Sequence, residues 1–291
     1  MFDFRYHVVS LAAVFLALVI GMLVGAGISE RGGLRDVERN RLDNRIARLE
    51  GQLAEASARK AEQEASTAVA ERGWEALAAN RLTGKRVAVL FVGRVDPGVR
   101  AAVNETVQAA GGTVSRMSAV TVPTPTLDVE AALRARRPLQ GYVGVEHLQD
   151  LGRDLGRELV DGGESPLWDA LSDVIVEERS GSGDDPVDAV VVSRNALPQP
   201  GETGRFLNGL YSGVVGAAHA AVGVERSRAD VSAVKAYRRA GMSSVDDVEL
   251  PAGRVALAIL LAGGPEGSYG IKETSSRRVP PITPIAPIPV P

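Results

Sequence analysis

Residues 85–92 read Lys85-Arg-Val-Ala-Val-Leu-Phe-Val92, and this run sets the architecture of the larger part of the 291-residue chain. Its apolar residues are continuous, which is typical of a strand buried on both faces of a parallel sheet. Asp96-Pro97 follows and predicts a helix start, because Asp caps the first turn and Pro fits the first helical position. Gly111-Gly112 ends that helix, and 113–120 is predicted to be the next strand. The segment therefore predicts a β-α-β unit.

The same alternation continues across residues 81–279 and predicts one α/β domain. Helices are predicted at 127–137, 148–160, 167–176, 206–220 and 229–240, and a further strand at 188–193. Residues 254–261 form either a last buried strand or a core helix, because a short apolar run fits both. The expected fold class is α/β, with an open, mostly parallel sheet and helices on both faces. The proline-rich tail 280–291 lies beyond the domain and is expected to be extended polyproline II or disordered.

The N-terminus carries a second strong signal. After a short flank at 1–7, Val8–Ile28 contains 21 consecutive residues without a charge. A helix of this length, at about 1.5 Å per residue, matches a bilayer core of about 30 Å. We expect an uncleaved transmembrane helix. A cleaved signal peptide is the alternative, since Val24 and Ala26 fit a small-residue cleavage pattern, although such a peptide should have a shorter apolar region and a more basic flank.

Small residues recur at every fourth position on one face of this apolar helix: Ala13, Ala17, Gly21 and Gly25. Small side chains let two helix backbones approach closely in lipid, where no hydrophobic force drives association. Ala17, Gly21 and Gly25 are therefore the predicted helix-pairing interface. The alternative is that Gly and Ala are simply common in membrane helices.

Residues 34–78 are charged, rich in Ala and free of Pro, and they predict a coiled-coil helix. Leu42, Ile46, Leu49 and Leu53 alternate in steps of four and three, which is a heptad core. The pattern then weakens at Lys60, Gln63 and Thr67 and is restored at Ala70, Trp74 and Leu77. We expect a short parallel coiled coil, and hence a homodimer or higher homo-oligomer. A solvated helix packed on its own domain is the alternative, and Gly32-Gly33 is predicted to interrupt the helix before the coil.

Composition and motifs exclude several classes of function. The chain has no cysteine, which excludes disulfides, thiolate metal sites and cysteine nucleophiles. Its net charge of −3, without a basic stripe, predicts no nucleic-acid partner. The turn Gly93-Arg-Val-Asp-Pro-Gly98 lacks the dinucleotide-binding spacing, and no P-loop sequence occurs. No catalytic or cofactor-binding residue is predicted, and the chain is not expected to be an enzyme.

A few polar residues remain as isolated candidates. His147 and His219 stand alone, and His219 is expected to be a buried or half-buried imidazole in an Ala-rich helix. Asp246-Asp247 could serve in acid–base chemistry or bind a cation, but they are explained more simply as turn residues that cap the next element. The arginines at the predicted end of the 127–137 helix, Arg134, Arg136 and Arg137, suit its dipole and need no ligand.

The sequence Phe2-Asp-Phe-Arg-Tyr-His-Val-Val-Ser-Leu-Ala-Ala-Val-Phe-Leu-Ala-Leu18, with Gly21 and Gly25, resembles the start of the MctB family of actinobacterial copper-transport proteins. The resemblance resumes at Val224-Glu-Arg-Ser227, Val245-Asp-Asp247, Gly253-Arg-Val-Ala-Leu257 and Tyr269-Gly-Ile-Lys272. The order of anchor, coiled coil and α/β domain is also similar. The resemblance implies copper efflux or homeostasis through the cell envelope, with pore formation proposed for some members. It also implies a short cytoplasmic N-terminus, and links to septal cell-wall remodelling in some relatives.

The residues give little support for a direct copper site. Copper(I) favours Cys and Met ligands, but there is no Cys, and Met1, Met22, Met117 and Met242 are widely separated. The three histidines, His7, His147 and His219, form no cluster. No bound cofactor is expected, copper is expected only as a possible transported ion, and the identity of any metal ligand stays open. A single apolar helix also supplies no transport path by itself.

Two functions of different classes therefore remain. The resemblance favours a membrane-bound component of copper homeostasis, and the residues favour a dimeric membrane-anchored scaffold that presents its domain to envelope or division proteins. A membrane-tethered hydrolase is a third class, for which no nucleophile–base pair is visible. The arginines after the apolar helix would by themselves retain the domain in the cytoplasm, but long domains cross membranes largely regardless of such charge. We therefore follow the resemblance and expect an extracytoplasmic domain.

Overall fold

The computed structural model of the chain describes residues 4–181 and 184–283. The chain divides into two compact units, Met1–Thr67 and Ala68–Pro291. One long helix, α1 (Phe4–Ala78), makes up the described part of the first unit and contributes its last turns to the second. Because α1 continues through Gly32-Gly33, the predicted interruption there is wrong. A glycine costs a helix only about 1 kcal/mol relative to alanine, and no proline lies nearby to break it.

Helix α1 contains one segment that is long and apolar enough to cross a membrane. It spans Val8–Ala26, has a mean hydropathy of 2.7, and none of it is buried inside the described protein. The segment ends slightly before the predicted limit at Ile28. Its length and composition fit the anchor expected from the sequence.

In the described part of the second unit, seven strands form one sheet. They are β1 (Arg86–Gly93), β2 (Thr113–Val120), β3 (Val176–Gly181), β4 (Ala189–Asn195), β5 (Ala220–Val224), β6 (Ser243–Val245) and β7 (Ser268–Tyr269). Their order across the sheet is β3-β2-β1-β4-β5-β6-β7. Neighbouring strands are parallel except β2 and β3, which are antiparallel at one edge. This confirms the expected open, mostly parallel sheet.

Seven further helices connect and cover these strands. They are α2 (Pro97–Ala109), α3 (Thr126–Arg134), α4 (Leu148–Asp161), α5 (Pro166–Ile175), α6 (Gly201–Ala217), α7 (Val234–Arg239) and α8 (Pro251–Leu261). Short 3-10 helices lie at Arg137–Tyr142 and Val145–His147. The segment 254–261, which the sequence left open, is therefore helical, and Pro251 stands in its first turn. Helix α7 is shorter than the helix predicted at 229–240. The helix predicted at 206–220 corresponds to α6, which ends at Ala217 because the next strand begins at Ala220.

Strand β1 supplies side chains to a hydrophobic core on each face of the sheet. Successive strand residues point to opposite faces. Ala88 and Leu90 pack in the core formed with α3 to α7, and Val89 and Phe91 pack in the core formed with α2, α8 and the end of α1. Every position from Val87 to Val92 is therefore buried, which explains the continuous apolar run. The two cores confirm that helices cover both faces.

The C-terminal end of α1 belongs to one of these cores. Trp74 is only 6% exposed and Ala78 is completely buried. The Arg254 guanidinium carbon of α8 lies 5.0 Å from the centroid of the Trp74 ring, within cation–π range. Trp74 therefore packs inside the α/β domain. The sequence had suggested that it extends the open heptad face, and this is wrong.

Helices α4 and α6 pack with their backbones in contact. Four glycines line this contact, Gly152 and Gly156 of α4 and Gly209 and Gly213 of α6, and a Cβ atom on any of them would overlap a backbone carbonyl oxygen of the facing helix. A Cβ on Gly216, at the end of α6, would meet nothing within 4 Å. The first four glycines are therefore required by close approach, and Gly216 is not.

Candidate functional site

The carboxyl ends of the parallel strands bring together segments that are far apart in the chain. Glu225 follows β5, Asp246 and Asp247 follow β6, and Lys272 follows β7. These residues lie in three of the four C-terminal segments that carry the family resemblance. The fourth begins with Gly253 in α8, where a Cβ would overlap the Asp247 carbonyl oxygen. The C-terminal part of the resemblance thus lies largely at the carboxyl ends of these parallel strands, because parallel strands all end on the same side.

Glu225 is the centre of a buried polar network. Glu225 is only 4% exposed. Its carboxylate accepts hydrogen bonds from Lys272 Nζ at 2.6 Å, Ser232 Oγ at 2.8 Å and the Ala233 backbone N–H at 2.6 Å. Lys272 Nζ also donates to the Arg226 carbonyl oxygen at 2.8 Å. A buried charge is tolerated when it is paired and its remaining lone pairs are bonded. Glu225 meets both conditions.

Asp246 holds the loop that follows β7. It is completely buried and accepts hydrogen bonds from the Ile271 N–H at 2.8 Å, the Lys272 N–H at 3.3 Å and the Ser275 hydroxyl. Gly270, at φ +135°, passes so close that a Cβ there would overlap the Asp246 carboxylate. Asp246 is therefore a structural residue that organises the loop after β7. The expectation that Asp246-Asp247 cap the next element is wrong, because α8 begins after Leu250 without a side-chain cap.

Asp247 differs sharply from its neighbour. It is 1% exposed, and within the described part of the chain neither carboxylate oxygen has a hydrogen-bond partner. Burial is the main cause that raises its pKa to about 7, the nearby charges of Asp246 and Glu249 add to the increase, and Arg278 opposes it. Asp247 is therefore a buried carboxyl group that changes protonation near neutral pH.

A polar cavity of about 230 Å³ lies at the same edge, beside the ends of β1, β4 and β5. It is lined by Asp96, Val99, Ser193, Arg194, Asn195, Glu225, Arg226, Arg228, Ala229 and Asp230. The chain leaves β1 through α2 towards β2 and leaves β4 through α6 towards β5, so the strand order reverses between β1 and β4. In open α/β sheets, ligands bind in the crevice outside the carboxyl ends at such a point.

Asp96 caps α2, as the sequence predicted. Its Oδ1 accepts hydrogen bonds from the backbone N–H groups of Gly98 at 2.8 Å and Val99 at 3.1 Å. Arg226 Nη1 lies 4.0 Å from the other Asp96 oxygen. The backbone N–H groups in the first turn of α2 therefore already have acceptors within the chain.

The predicted pairing and coiled-coil residues lie on open surfaces of α1. Ala17, Gly21 and Gly25 are exposed, and a Cβ on either glycine would meet no atom within 4 Å. Leu42, Ile46, Leu49 and Leu53 are 55, 51, 55 and 69% exposed in the single chain. Pairing of the apolar segments and of the heptad faces stays a prediction.

The isolated histidines lie away from the site at the carboxyl ends of the parallel strands. His219 follows the end of α6 and is exposed, so its expected place as a buried helix residue is wrong. The helix ends at Ala217, because the backbone there turns into β5. His147 closes a 3-10 helix, and its Nε2 lies 3.8 Å from Glu146. Arg134 stands in the last turn of α3 and pairs with Glu130 at 2.7 Å, as its dipole-favourable position allows.

The soft ligands that copper(I) prefers are not brought together by the described fold. Met117 is buried on β2 and Met242 just before β6, at 7 and 5% exposure, whereas Met22 is exposed on α1. Among the side chains that the structure describes, no group of three or more His, Asp or Glu residues is placed to hold a metal ion. His7 and Met1 belong to the N-terminal flank, whose side chains lie outside this description.

Sequence reasoning missed most of the network at the sheet edge. Glu225 and Lys272 are 47 residues apart, and β5, β6 and β7 were not predicted as strands. Arg194 and Asn195, which line the cavity, end β4 but lay just beyond the predicted strand 188–193 and belonged to no motif. The one available signal was the resemblance itself, since its C-terminal segments contain Glu225, Asp246 and Lys272.

This architecture defines an α/β protein with an N-terminal helix suited to anchoring in a membrane. The family model described as "Copper transport outer membrane protein, MctB" matches residues 1–280. The chain belongs to the MctB family, which confirms the resemblance seen in its sequence. At family level it is a copper-transport-related envelope protein, from a transport-related rather than an enzyme family. Comparison with curated proteins gives no match.

Proposed function

We propose that this protein is a membrane-anchored, dimeric component of copper homeostasis in the cell envelope, with its α/β domain outside the cytoplasm. The observation that carries the proposal is the match of residues 1–280 to the family. The apolar segment Val8–Ala26 supports a lipid-embedded anchor with the length of a bilayer core. Copper enters this proposal as cargo of the transport system and not as a resident cofactor.

The heptad face of α1 supports the dimer. Leu42, Ile46, Leu49 and Leu53 are more than half exposed in one chain, although they lie on one side of the helix. Complete burial of a Leu or Ile side chain contributes about 2 kcal/mol, so seating four of them against a second copy favours association. The small-residue face in the apolar segment would bring the same two helices together within the lipid.

A scaffold or regulator of cell-wall remodelling or division is the second candidate. The same exposed heptad face favours it, because a dimer that presents a folded domain to envelope partners needs no metal ligands of its own. In this alternative the domain would contact envelope or division proteins without binding copper.

Deletion of the gene, followed by complementation, separates the two candidates. Under copper homeostasis, loss of the protein raises copper sensitivity and cellular copper, and the full chain restores both. Unchanged copper tolerance and copper content, together with altered septum shape or lysozyme sensitivity, would overturn the copper proposal in favour of the scaffold. Complementation with Leu49→Glu tests whether the dimer is needed, and Ala58→Glu, on the outer face of the same heptads, is the matched control.

Protease treatment of intact spheroplasts tests the orientation. An extracytoplasmic domain is degraded from outside while residues ahead of Val8 stay protected. Full protection of the α/β domain in intact spheroplasts, with degradation only after lysis, would overturn this part of the proposal.

A further inference from the structure

The cavity at the ends of β1, β4 and β5 is lined by three arginines and three carboxylates, and two of the carboxylates have hydrogen-bond donors within the chain. Two of its carboxylates are already committed: Asp96 accepts from the first turn of α2, and Glu225 accepts from Lys272, Ser232 and Ala233. Asp230, the remaining carboxylate, is exposed. The negative groups are thus either neutralised or directed to solvent.

The arginine side chains of the cavity have fewer hydrogen-bond and charge partners than Asp96 and Glu225 have. Arg194 Nε is buried and has no hydrogen-bond partner among the described residues. Arg226 has only the Asp96 oxygen at 4.0 Å as a charge partner for its guanidinium in this part of the chain. The Arg228 side chain is exposed and lines the same cavity. The exposed guanidinium groups of Arg226 and Arg228 therefore keep N–H donors that a bound oxyanion would engage.

Neighbouring groups keep Arg194 in place beside the cavity. Its backbone N–H donates to Tyr237 Oη at 2.7 Å, and Tyr237 is completely buried. Burial raises the pKa of Tyr211 to about 12, and the adjacent Arg194 opposes this increase. Both tyrosines therefore stay protonated and uncharged at neutral pH, so neither neutralises Arg194. Ser193, 3% exposed, adds a hydroxyl to the lining.

We propose that this cavity is a binding site for a small anion carrying a phosphate or carboxylate group, held by Arg194 and Arg226 with Arg228 at the rim. Guanidinium groups bind both oxyanions through paired N–H donors. The volume of about 230 Å³ suits a compact ligand, because sites for drug-sized molecules span roughly 300–1,000 Å³. The position at the strand-order reversal between β1 and β4 is the place where such sheets bind ligands. This site does not depend on the proposed role in copper homeostasis.

Calorimetric titration of the full chain in detergent tests the site. The probes are inorganic phosphate and malonate, added at constant ionic strength, with sodium chloride as the reference anion. We expect saturable binding of phosphate or malonate and none of chloride. Preference between the two probes identifies which oxyanion source the site takes. No saturable heat with either probe would overturn the proposal.

Variants of the cavity arginines provide the specific test. Arg226→Gln should weaken binding by about tenfold or more, because a hydrogen bond to a charged group is lost, and Arg194→Gln should act in the same direction. Arg226 has 49% of its side chain exposed, so its variant should fold even if the Arg194 variant does not, which circular dichroism checks. Arg239→Gln on α7, outside the cavity, removes the same charge and should leave binding unchanged. Equal weakening by Arg239→Gln, or unchanged binding in Arg226→Gln, would overturn the site.

Discussion

Lys272 Nζ lies 2.6 Å from Glu225 Oε1, so the loop after β7 closes over the end of β5. The Glu225 side chain is 3% exposed and the Lys272 side chain 19%. The two residues thus form a largely buried ion pair, and it joins two segments that carry the family resemblance. Replacing both members of a buried ion pair by apolar residues changes the free energy of unfolding little, but removing only one member destabilises the protein strongly.

Lys272→Met should destabilise the domain by about 3 kcal/mol, because it leaves the Glu225 carboxylate buried without its cation. Urea unfolding of the α/β domain followed by circular dichroism measures the change. Lys235→Met, which removes an exposed lysine from α7, is the matched control and should stay within about 0.5 kcal/mol of the parent. The double variant Glu225→Gln, Lys272→Met should lose less than the sum of the single changes. Additive losses would contradict the pairing.

Asp247 should make the domain less stable as the pH rises. Its pKa is raised from 3.8 to about 7, so between these values the folded state keeps a proton that the unfolded chain has released. Stability from this group is therefore greatest below pH 4 and is lost as the pH approaches 7. Asp247→Asn mimics the protonated form and should exceed the parent in stability at pH 8 by on the order of 4 kcal/mol, since each pKa unit corresponds to about 1.4 kcal/mol. The difference should shrink towards pH 4 in denaturant titrations, and a difference independent of pH would refute the assignment.

Gly213→Ala should destabilise the contact between α4 and α6. The added methyl group overlaps the Arg153 carbonyl oxygen, and forcing helices apart in a packed core costs about 1–3 kcal/mol. Gly216→Ala in the same helix meets nothing within 4 Å and should be neutral or slightly stabilising, because alanine favours helix over glycine. Thermal unfolding of the two variants measures both effects. Equal melting temperatures would show that the helices do not touch at Gly213.

Gly21→Ile combined with Gly25→Ile should weaken self-association of the apolar segment. Two branched side chains on the small-residue face would hold the paired backbones apart. A reporter of helix pairing in a bacterial membrane gives the measurement. Val19→Ile with Leu23→Ile places similar bulk on the opposite face and should leave the signal unchanged. If the glycine variant pairs as strongly as this control, the small-residue face is not an interface.

Leu49→Glu should dissociate a fragment that starts at residue 30 and therefore lacks the whole apolar segment. A charge in the heptad core faces the same charge on the partner helix and loses the apolar burial of Leu49. Light scattering should report a change from dimer to monomer, whereas Ala58→Glu on the outer heptad face should stay dimeric. A parent fragment that is already monomeric would remove the coiled coil.

The sequence predicted the central strands of the sheet better than the outer strands β6 and β7. Strands β1 and β2 and helix α2 lie within a residue of their expected bounds, because β1 is apolar on both faces and Asp96-Pro97 marks the helix start. Strands β6 and β7 were missed because they contain only 3 and 2 residues and are rich in Ser. So short a strand is defined by its sheet partners and not by its own periodicity.

The candidate site was predictable only through likeness to a family. Nothing local in the sequence connects Glu225 with Lys272, because their contact arises from the order in which β5, β6 and β7 add to the sheet. Trp74 was assigned to a heptad face for a similar reason. Its spacing fits the heptad, but the α/β core and Arg254 cover it, and only the tertiary fold distinguishes the two environments.

The closure of β7 and Lys272 over the sheet edge constrains how the chain matures. The segment after β7 supplies the cation that pairs with Glu225 and the backbone donors of Asp246, so a nascent chain that has emerged only as far as α8 holds two carboxyl groups that still lack these partners. By then the N-terminal apolar segment has long since left the ribosome. If this segment anchors the chain as proposed, the bilayer can hold it before the domain is complete, and a product truncated before Lys272 would keep its anchor but leave Glu225 and Asp246 without these partners, a ready substrate for quality-control proteolysis.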